Sequence, residues 1–248
     1  MKTLKRFGTQ RSVQVIRNDE LKESTMQKFD TPAAIAAVLD IPAGRVRFIA
    51  ADRADTVVEV LPADPSRGRD VKAAEQTTVV YGDGVLRIEA APAKNRVLGS
   101  SGSVEVTVQL PAGSRVEAKT AAAEFRGVGR LGEVTFEGAQ GSVKLDETAG
   151  ARLTLLAGDI SVGRLGGPAE IGTQKGDLRI AEAVRGTVVL RTEAGDISVG
   201  AARGVSASLD AGTSYGRIHN ALHSTEGAAD RLEIRATTAY GDITARSL

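Results

Sequence analysis

Four aspartates that each follow a glycine are the residues of this sequence best placed to do chemistry. They form the pairs Gly158-Asp159, Gly176-Asp177, Gly195-Asp196 and Gly241-Asp242. Stacked carboxylates are suitable ligands for Ca²⁺. However, the sequence lacks the dense glycine and aspartate spacing of calcium-binding β-repeats, and Ser142 and Arg217 interrupt the series. We therefore predict that the aspartates accept hydrogen bonds from main-chain amides at turns, and that the protein binds no metal or cofactor.

A sugar-cleaving site is the second chemistry that these residues allow. Polysaccharide lyases and hydrolases built on parallel β-helices use acidic and basic side chains of one outer face. Asp177, Asp196 and Arg179 could form such a group, although this is an argument from fold analogy. Against it, the chain has no Trp and only three Tyr that could stack on sugar rings. We predict a protein that is not an enzyme and has no small-molecule substrate, with a polysaccharide-active β-helix enzyme as an alternative.

Two histidines, His219 and His223, stand four residues apart. On a helix this spacing would place both imidazoles on one face as metal ligands. His219 instead falls in a predicted strand and His223 in the loop that follows it, and no third ligand is apparent. We predict a solvated pair of side chains, available to a partner, and no metal site.

Two tyrosines, Tyr215 and Tyr240, directly precede the turn glycines Gly216 and Gly241. Because they hold the same position in two repeats, we predict that their rings stack on each other. The stacked pair would form a small exposed aromatic patch. Aromatic residues are enriched at protein interfaces, so this patch is a candidate contact surface for a protein partner.

A repeated unit must position all of these residues. The turn positions of seven successive units are Ala123, Gly141, Gly158, Gly176, Gly195, Gly216 and Gly241, at spacings of 17 to 25 residues. An apolar residue stands two positions after most of these turns and another stands five positions before, as Ile197 and Leu190 do around Gly195. Alternation of this kind on both sides of a turn predicts two short strands in each unit.

The regular spacing indicates the fold class. The gaps between strands are too short for crossover helices, so we predict an all-β, single-domain parallel β-helix or solenoid with coils of 17 to 25 residues. Like positions of successive coils would stack at the strand spacing of about 4.8 Å. One coil buries too few apolar side chains to offset its backbone entropy, so each coil depends on its neighbours.

The chain divides into three predicted parts. Residues 1–25 form a flexible extension, 26–113 an N-terminal β region, and 114–248 the regular repeats. The N-terminal region also carries a hairpin signal at Gly82-Asp83-Gly84, which predicts some antiparallel pairing. The phrase Pro-Ala-Gly at 42–44 and at 111–113 predicts two further turns that end strands.

Composition excludes several classes of function. The formal charge is +1, which gives no basic footprint for nucleic acid. The chain has no Cys and aromatic residues make up only 3% of it. No segment is apolar for long enough to predict a signal peptide or a membrane span, so we expect a cytoplasmic location.

Two motifs give the sequence a family resemblance. The stretch V-x-L-P-A-G-S-R-V-E-A-K-T at 108–120 is followed by repeated T-x-x-G-D-I-x-V units such as 192–199. Together they resemble the bacterial β-strand-repeat domain of unknown function labelled "putative adhesin", over roughly residues 30–248. The resemblance implies a right-handed, β-helix-like fold and implies no catalytic residues.

The C-terminal end of the chain is the last candidate site. The sequence stops soon after a well-formed unit, and the segment Leu232–Ala236 is regular enough to pair with another chain. An open strand edge promotes association. We therefore predict a non-enzymatic scaffold that binds a protein partner or itself, end to end, as a homo-oligomer. A surface or envelope-associated adhesin is an alternative, which cell fractionation would separate from a cytoplasmic protein.

Overall fold

The computed structural model describes residues 26–91, 102–223 and 230–248, and it consists almost entirely of strands. The predicted flexible extension at residues 1–25 lies outside the described residues, as do residues 92–101 and 224–229. The prediction of an all-β fold is confirmed. Within the described ranges, no helix combines the length and the apolar character needed to span a bilayer.

Sixteen strands and one short helix make up the described chain. The strands before the long central one are β1 (Met26–Asp30), β2 (Ala36–Ala51), β3 (Asp55–Pro62), β4 (Thr78–Gly82), β5 (Val85–Glu89) and β6 (Val104–Pro111). The helix α1 (Gly68–Gln76) lies between β3 and β4. The remaining strands are β7 (Arg115–Ala157), β8 (Ile160–Leu165), β9 (Ala169–Lys175), β10 (Leu178–Ala183), β11 (Gly186–Ala194), β12 (Ile197–Ala201), β13 (Ser206–Tyr215), β14 (Ile218–Ala221), β15 (Arg231–Tyr240) and β16 (Ile243–Ser247).

These strands pair in two ladders that share β2 and β7. Ladder A contains the strands before the turns, in the order β4, β5, β2, β7, β9, β11, β15, β13. Ladder B contains the strands after the turns, in the order β1, β3, β6, β2, β7, β8, β10, β12, β16, β14. From β2 onward to β13 in ladder A and to β14 in ladder B, adjacent described strands are parallel.

One hydrophobic core lies between the two ladders. Alternate side chains of each strand are buried, as Leu153 and Leu155 are in ladder A and Ile160 and Val162 in ladder B. The ring of Phe125 in ladder B packs 5.1 Å, centroid to centroid, from the ring of Phe136 on the facing side of the core. The core is therefore continuous along the stack, and it stabilises each unit through its neighbours.

The N-terminal part contains the antiparallel strands. β4 and β5 form an antiparallel hairpin whose turn residues Asp83 and Gly84 both have positive φ, at 50° and 76°. In a two-residue hairpin, a turn with positive φ at both residues has a twist that matches the twist of the two strands it joins. β3 is also antiparallel, to β1 on one side and to β6 on the other.

Two local features differ from the sequence prediction. Pro42-Ala43-Gly44 does not end a strand, because β2 continues through it and pairs with β7 on both sides of the bend. Helix α1 was not predicted, because its sequence is short and polar and only Asp70 of it is buried. The Asp70 carboxylate accepts a hydrogen bond of 3.0 Å from the main-chain N–H of Ser103, which attaches the helix to the sheet.

The C-terminal strands occupy an unexpected place in the stack. β15 pairs with β11 on one side and with β13 on the other, and β16 lies likewise between β12 and β14. Ile234, for example, is in register with both Val188 and Leu209. The prediction that Leu232–Ala236 forms an open edge is therefore wrong, because the chain's last unit is inserted between two earlier ones. Among the described strands, β13 and β14 form this end of the stack.

Candidate functional site

The predicted turn glycines lie in one column along the stack. A Cβ atom on Gly195 would lie 2.0 Å from the carbonyl oxygen of Gly176, and one on Gly241 would lie 2.0 Å from that of Gly195. A Cβ on Gly216 would lie 1.9 Å from the carbonyl oxygen of Gly241. Gly141, Gly158 and Gly176 approach the preceding turn in the same way. These contacts leave no room for a side chain. They also show that the unit around Gly241 is stacked between the unit around Gly195 and the unit around Gly216.

The aspartates form a second column, beside the glycines. Each carboxylate Oδ1 accepts a hydrogen bond from a main-chain N–H of the next unit. The pairs of acceptor and donor residue are Asp159 and Asp177 at 2.9 Å, Asp177 and Asp196 at 2.8 Å, Asp196 and Asp242 at 2.8 Å, and Asp242 and Arg217 at 2.9 Å. The column therefore links turns, which is the arrangement of a structural ladder.

Arg217 stands at the last position of this column. Its guanidinium Nη2 lies 2.9 Å from Asp242 Oδ2, in addition to the main-chain bond to Oδ1. The main-chain N–H of Arg217, and to a smaller extent its guanidinium, hold the pKa of the Asp242 carboxyl below its usual range. A cation here neutralises the outermost carboxylate of the column.

Threonines three residues before the turns add a third set of bonds. Thr192 Oγ1 donates to the carbonyl oxygen of Gly176 at 3.1 Å, Thr238 to that of Gly195 at 3.1 Å, and Thr213 to that of Gly241 at 3.0 Å. The repetition of Thr is visible in the sequence, but its bonding partner is not. Only the stacking of units brings each hydroxyl to the turn of the neighbouring unit.

The acidic and histidine side chains of the described residues are not gathered at one point. No group of three or more His, Cys, Asp or Glu side chains within the described ranges is arranged to hold a metal ion. Asp177 and Asp196 each use one carboxylate oxygen to accept a main-chain hydrogen bond. A shallow depression of about 280 Å³ lies on the outer face of ladder A, lined in part by Glu133, Arg152 and Glu170, and none of the predicted site residues faces it.

Apolar side chains are exposed at the end formed by β13 and β14, which we call the open end. Ile218 is 46% exposed, whereas Ile243 and Ile197, its neighbours in the same column, are each 1% exposed. The rings of Tyr215 and Tyr240 stack 5.0 Å apart and almost parallel, and they are 68% and 60% exposed. The column of isoleucines that is buried inside the stack thus reaches the surface at the open end.

The main chain of β13 also forms the edge of ladder A at the open end. Ser206 donates its N–H to Asp230, at 3.2 Å, so alternate residues from Ser206 onward face β15. The residues between them, Ala207, Leu209 and Ala211, point their N–H and C=O groups away from β15. Among the described strands, β15 is the sole partner of β13.

The histidines also lie near the open end. His219 is an exposed residue of β14, in register with Thr244 of β16. His223 is exposed too, and its main-chain N–H donates to Ser247 Oγ at 3.0 Å. The structure thus places His219, His223, Tyr215 and Tyr240 on the last two units of the stack.

The fold and its repeated turns define a β-rich repeat protein. The chain belongs to the Toastrack family, DUF4097, whose model matches residues 82–246. The family resemblance drawn from the sequence motifs is thereby confirmed. No curated protein matches the chain.

Several solved structures are similar to the chain at low sequence identity. A "putative cell adhesion protein" from Clostridium sporogenes is 11% identical, with 90% of this chain and 99% of that one covered and a TM-score of 0.41. A "putative adhesin" from Bacteroides fragilis is 12% identical, with 89% and 95% covered and a TM-score of 0.43. A "putative lipid binding protein" from Parabacteroides distasonis is 12% identical, with 89% and 95% covered and a TM-score of 0.47.

Proposed function

We propose that this protein is a non-enzymatic β-solenoid interaction protein, and that its open end binds a second copy of the chain. The exposure of Ile218 carries the proposal. Its equivalents in the next two units of the stack, Ile243 and Ile197, are each 1% exposed, so a further unit at the open end would bury Ile218 as well. No described strand of the chain supplies that further unit. A second copy would supply it by strand addition.

The sequence of the open edge supports the same conclusion. Edge strands of monomeric proteins are usually protected by Lys, Pro or a bulge. From Ser206 to Thr213, β13 has small or apolar residues and a single charge, Asp210.

Replacing Ile218 by lysine should abolish this association. A lysine is tolerated in the single chain because the position is already half exposed, but an ammonium group would have to be desolvated at a docked end. Mass photometry and light scattering over a range of concentrations should show dimers or longer assemblies of the wild type and monomers of Ile218→Lys.

Leu156→Lys is the matched control for this experiment. Leu156 is 48% exposed, almost as much as Ile218, but it lies on β7, away from the open end. This variant should associate as the wild type does. A wild type that stays monomeric at every concentration, or equal loss of association in both variants, would contradict the proposal.

A further inference from the structure

The insertion of the last unit points to an interaction that uses a different surface. We infer that residues 231–248, the C-terminal unit, exchange between two copies of the chain, each copy filling the slot of the other. The slot is the space between β11 and β12 on one side and β13 and β14 on the other. This inference goes beyond the proposed function, because exchange uses the slot and docking uses the open end.

The slot recognises the C-terminal unit along both of its edges. In ladder A, Ala236 is in register with Leu190 on one side and Ala211 on the other. In ladder B, Ile243 is in register with Ile197 and Ile218. The unit therefore forms a parallel strand pair with each neighbouring unit in ladder A and another in ladder B. These strand pairs make nearly all of its contacts.

Residues 206–221 depend on the occupant of the slot. Among the described strands, β13 pairs with β15 and β14 with β16, and neither pairs with any other. The Thr213 hydroxyl and the Arg217 amide likewise bond to Gly241 and Asp242 of the inserted unit. In this structure residues 206–221 are therefore joined to the stack through a C-terminal unit, whichever chain provides it.

A C-terminal unit from a second copy would fill the slot with the same contacts that the chain's own unit makes. The exchanged dimer would keep every ladder hydrogen bond, every buried side chain and the Asp196–Asp242–Arg217 series, because the donor has the same sequence. What differs is whether β14 and the β15 that shares its stack belong to the same chain or to two chains. Exchange of identical elements between copies is a low-cost route to a dimer for this reason.

Cysteine trapping between two differently labelled copies tests this inference. The chain has no Cys, so introduced thiols are the only ones present. Thr187 on β11 and Glu233 on β15 are in register, with Thr187 Oγ1 3.5 Å from Glu233 Oε2. A Thr187→Cys chain is mixed with a Glu233→Cys chain, both full length, unfolded together, refolded and then oxidised with copper phenanthroline.

Exchange predicts a disulfide-linked dimer of the two chains that increases with protein concentration. The control mixture joins Thr187→Cys to Ser208→Cys, because Ser208 on β13 lies one strand further away, beyond Glu233. This control should stay at background. The absence of the first cross-link, or equal cross-linking in the control, would overturn the inference.

The same mixtures separate this inference from the proposed function. Introducing Ile218→Lys into both chains removes end-to-end docking but leaves the acceptor edges of β11 and β12 intact. A cross-link that persists with Ile218→Lys shows exchange without docking. Association that Ile218→Lys abolishes, with no cross-link in either background, shows docking without exchange and overturns the inference alone.

Discussion

Replacing Ile197 by aspartate should lower the free energy of unfolding by about 4 kcal/mol or more. Ile197 lies on β12 in the interior of the stack and is 1% exposed. Its partners in register, Leu178 and Ile243, are equally buried and offer no polar group to a carboxylate. The change removes apolar contacts and places an unpaired acid in the core, so urea unfolding followed by far-ultraviolet circular dichroism should show a much lower midpoint.

Ser198→Asp is the control for this prediction. Ser198 is the next residue of the same strand, but its side chain points outward, in register with Arg179 and Thr244. An aspartate there is solvated and faces a cation, so the free energy of unfolding should change by no more than about 0.5 kcal/mol. Equal losses in the two variants would show that β12 does not alternate between core and solvent as described.

Replacing Gly195 by alanine should cost about 2–5 kcal/mol, from backbone strain and from overpacking together. Gly195 has φ of 153°, in a region that favours glycine, and a Cβ there would lie 2.0 Å from the carbonyl oxygen of Gly176. That oxygen also accepts the hydroxyl of Thr192 at 3.1 Å, so it cannot move without losing a hydrogen bond. Thermal and urea unfolding should both detect the loss.

Gly172→Ala is the matched control in a neighbouring unit. A Cβ on Gly172 would meet only the carbonyl oxygen of Arg191, at an ordinary contact distance of 3.8 Å. Its stability should stay the same or rise by about 0.4–1 kcal/mol, because alanine has less freedom in the unfolded chain. If Gly195→Ala were as stable as Gly172→Ala, the close approach of successive turns would be refuted.

The sequence predicted the features that repeat. The apolar positions around each turn, such as Leu190 and Ile197, follow from alternation, and the structure buries both of them. The stacking of Tyr215 on Tyr240 followed from their shared position before a turn glycine. Such features depend on local spacing, and local spacing can be read from one chain.

The order of the units could not be predicted in the same way. The unit around Gly216 and the unit around Gly241 share an apolar residue seven positions before the turn, then Ala, Thr and Tyr, and an Ile two positions after it. Either one would therefore fit against β11 and β12, and the pattern does not say which does. A prediction that follows chain order places the C-terminal unit outermost, and the structure places it one unit further in.

Both proposals depend on the position of the C-terminal unit between two earlier units, and disulfide trapping within a single chain tests that position most directly. Adjacent strands lie about 4.8 Å apart, within reach of a disulfide, whereas strands two apart are separated by about 10 Å. In dilute protein, Thr187→Cys combined with Glu233→Cys should form an intramolecular disulfide, and Thr187→Cys combined with Ser208→Cys should not. The reverse result would place the units in chain order and would contradict both proposals.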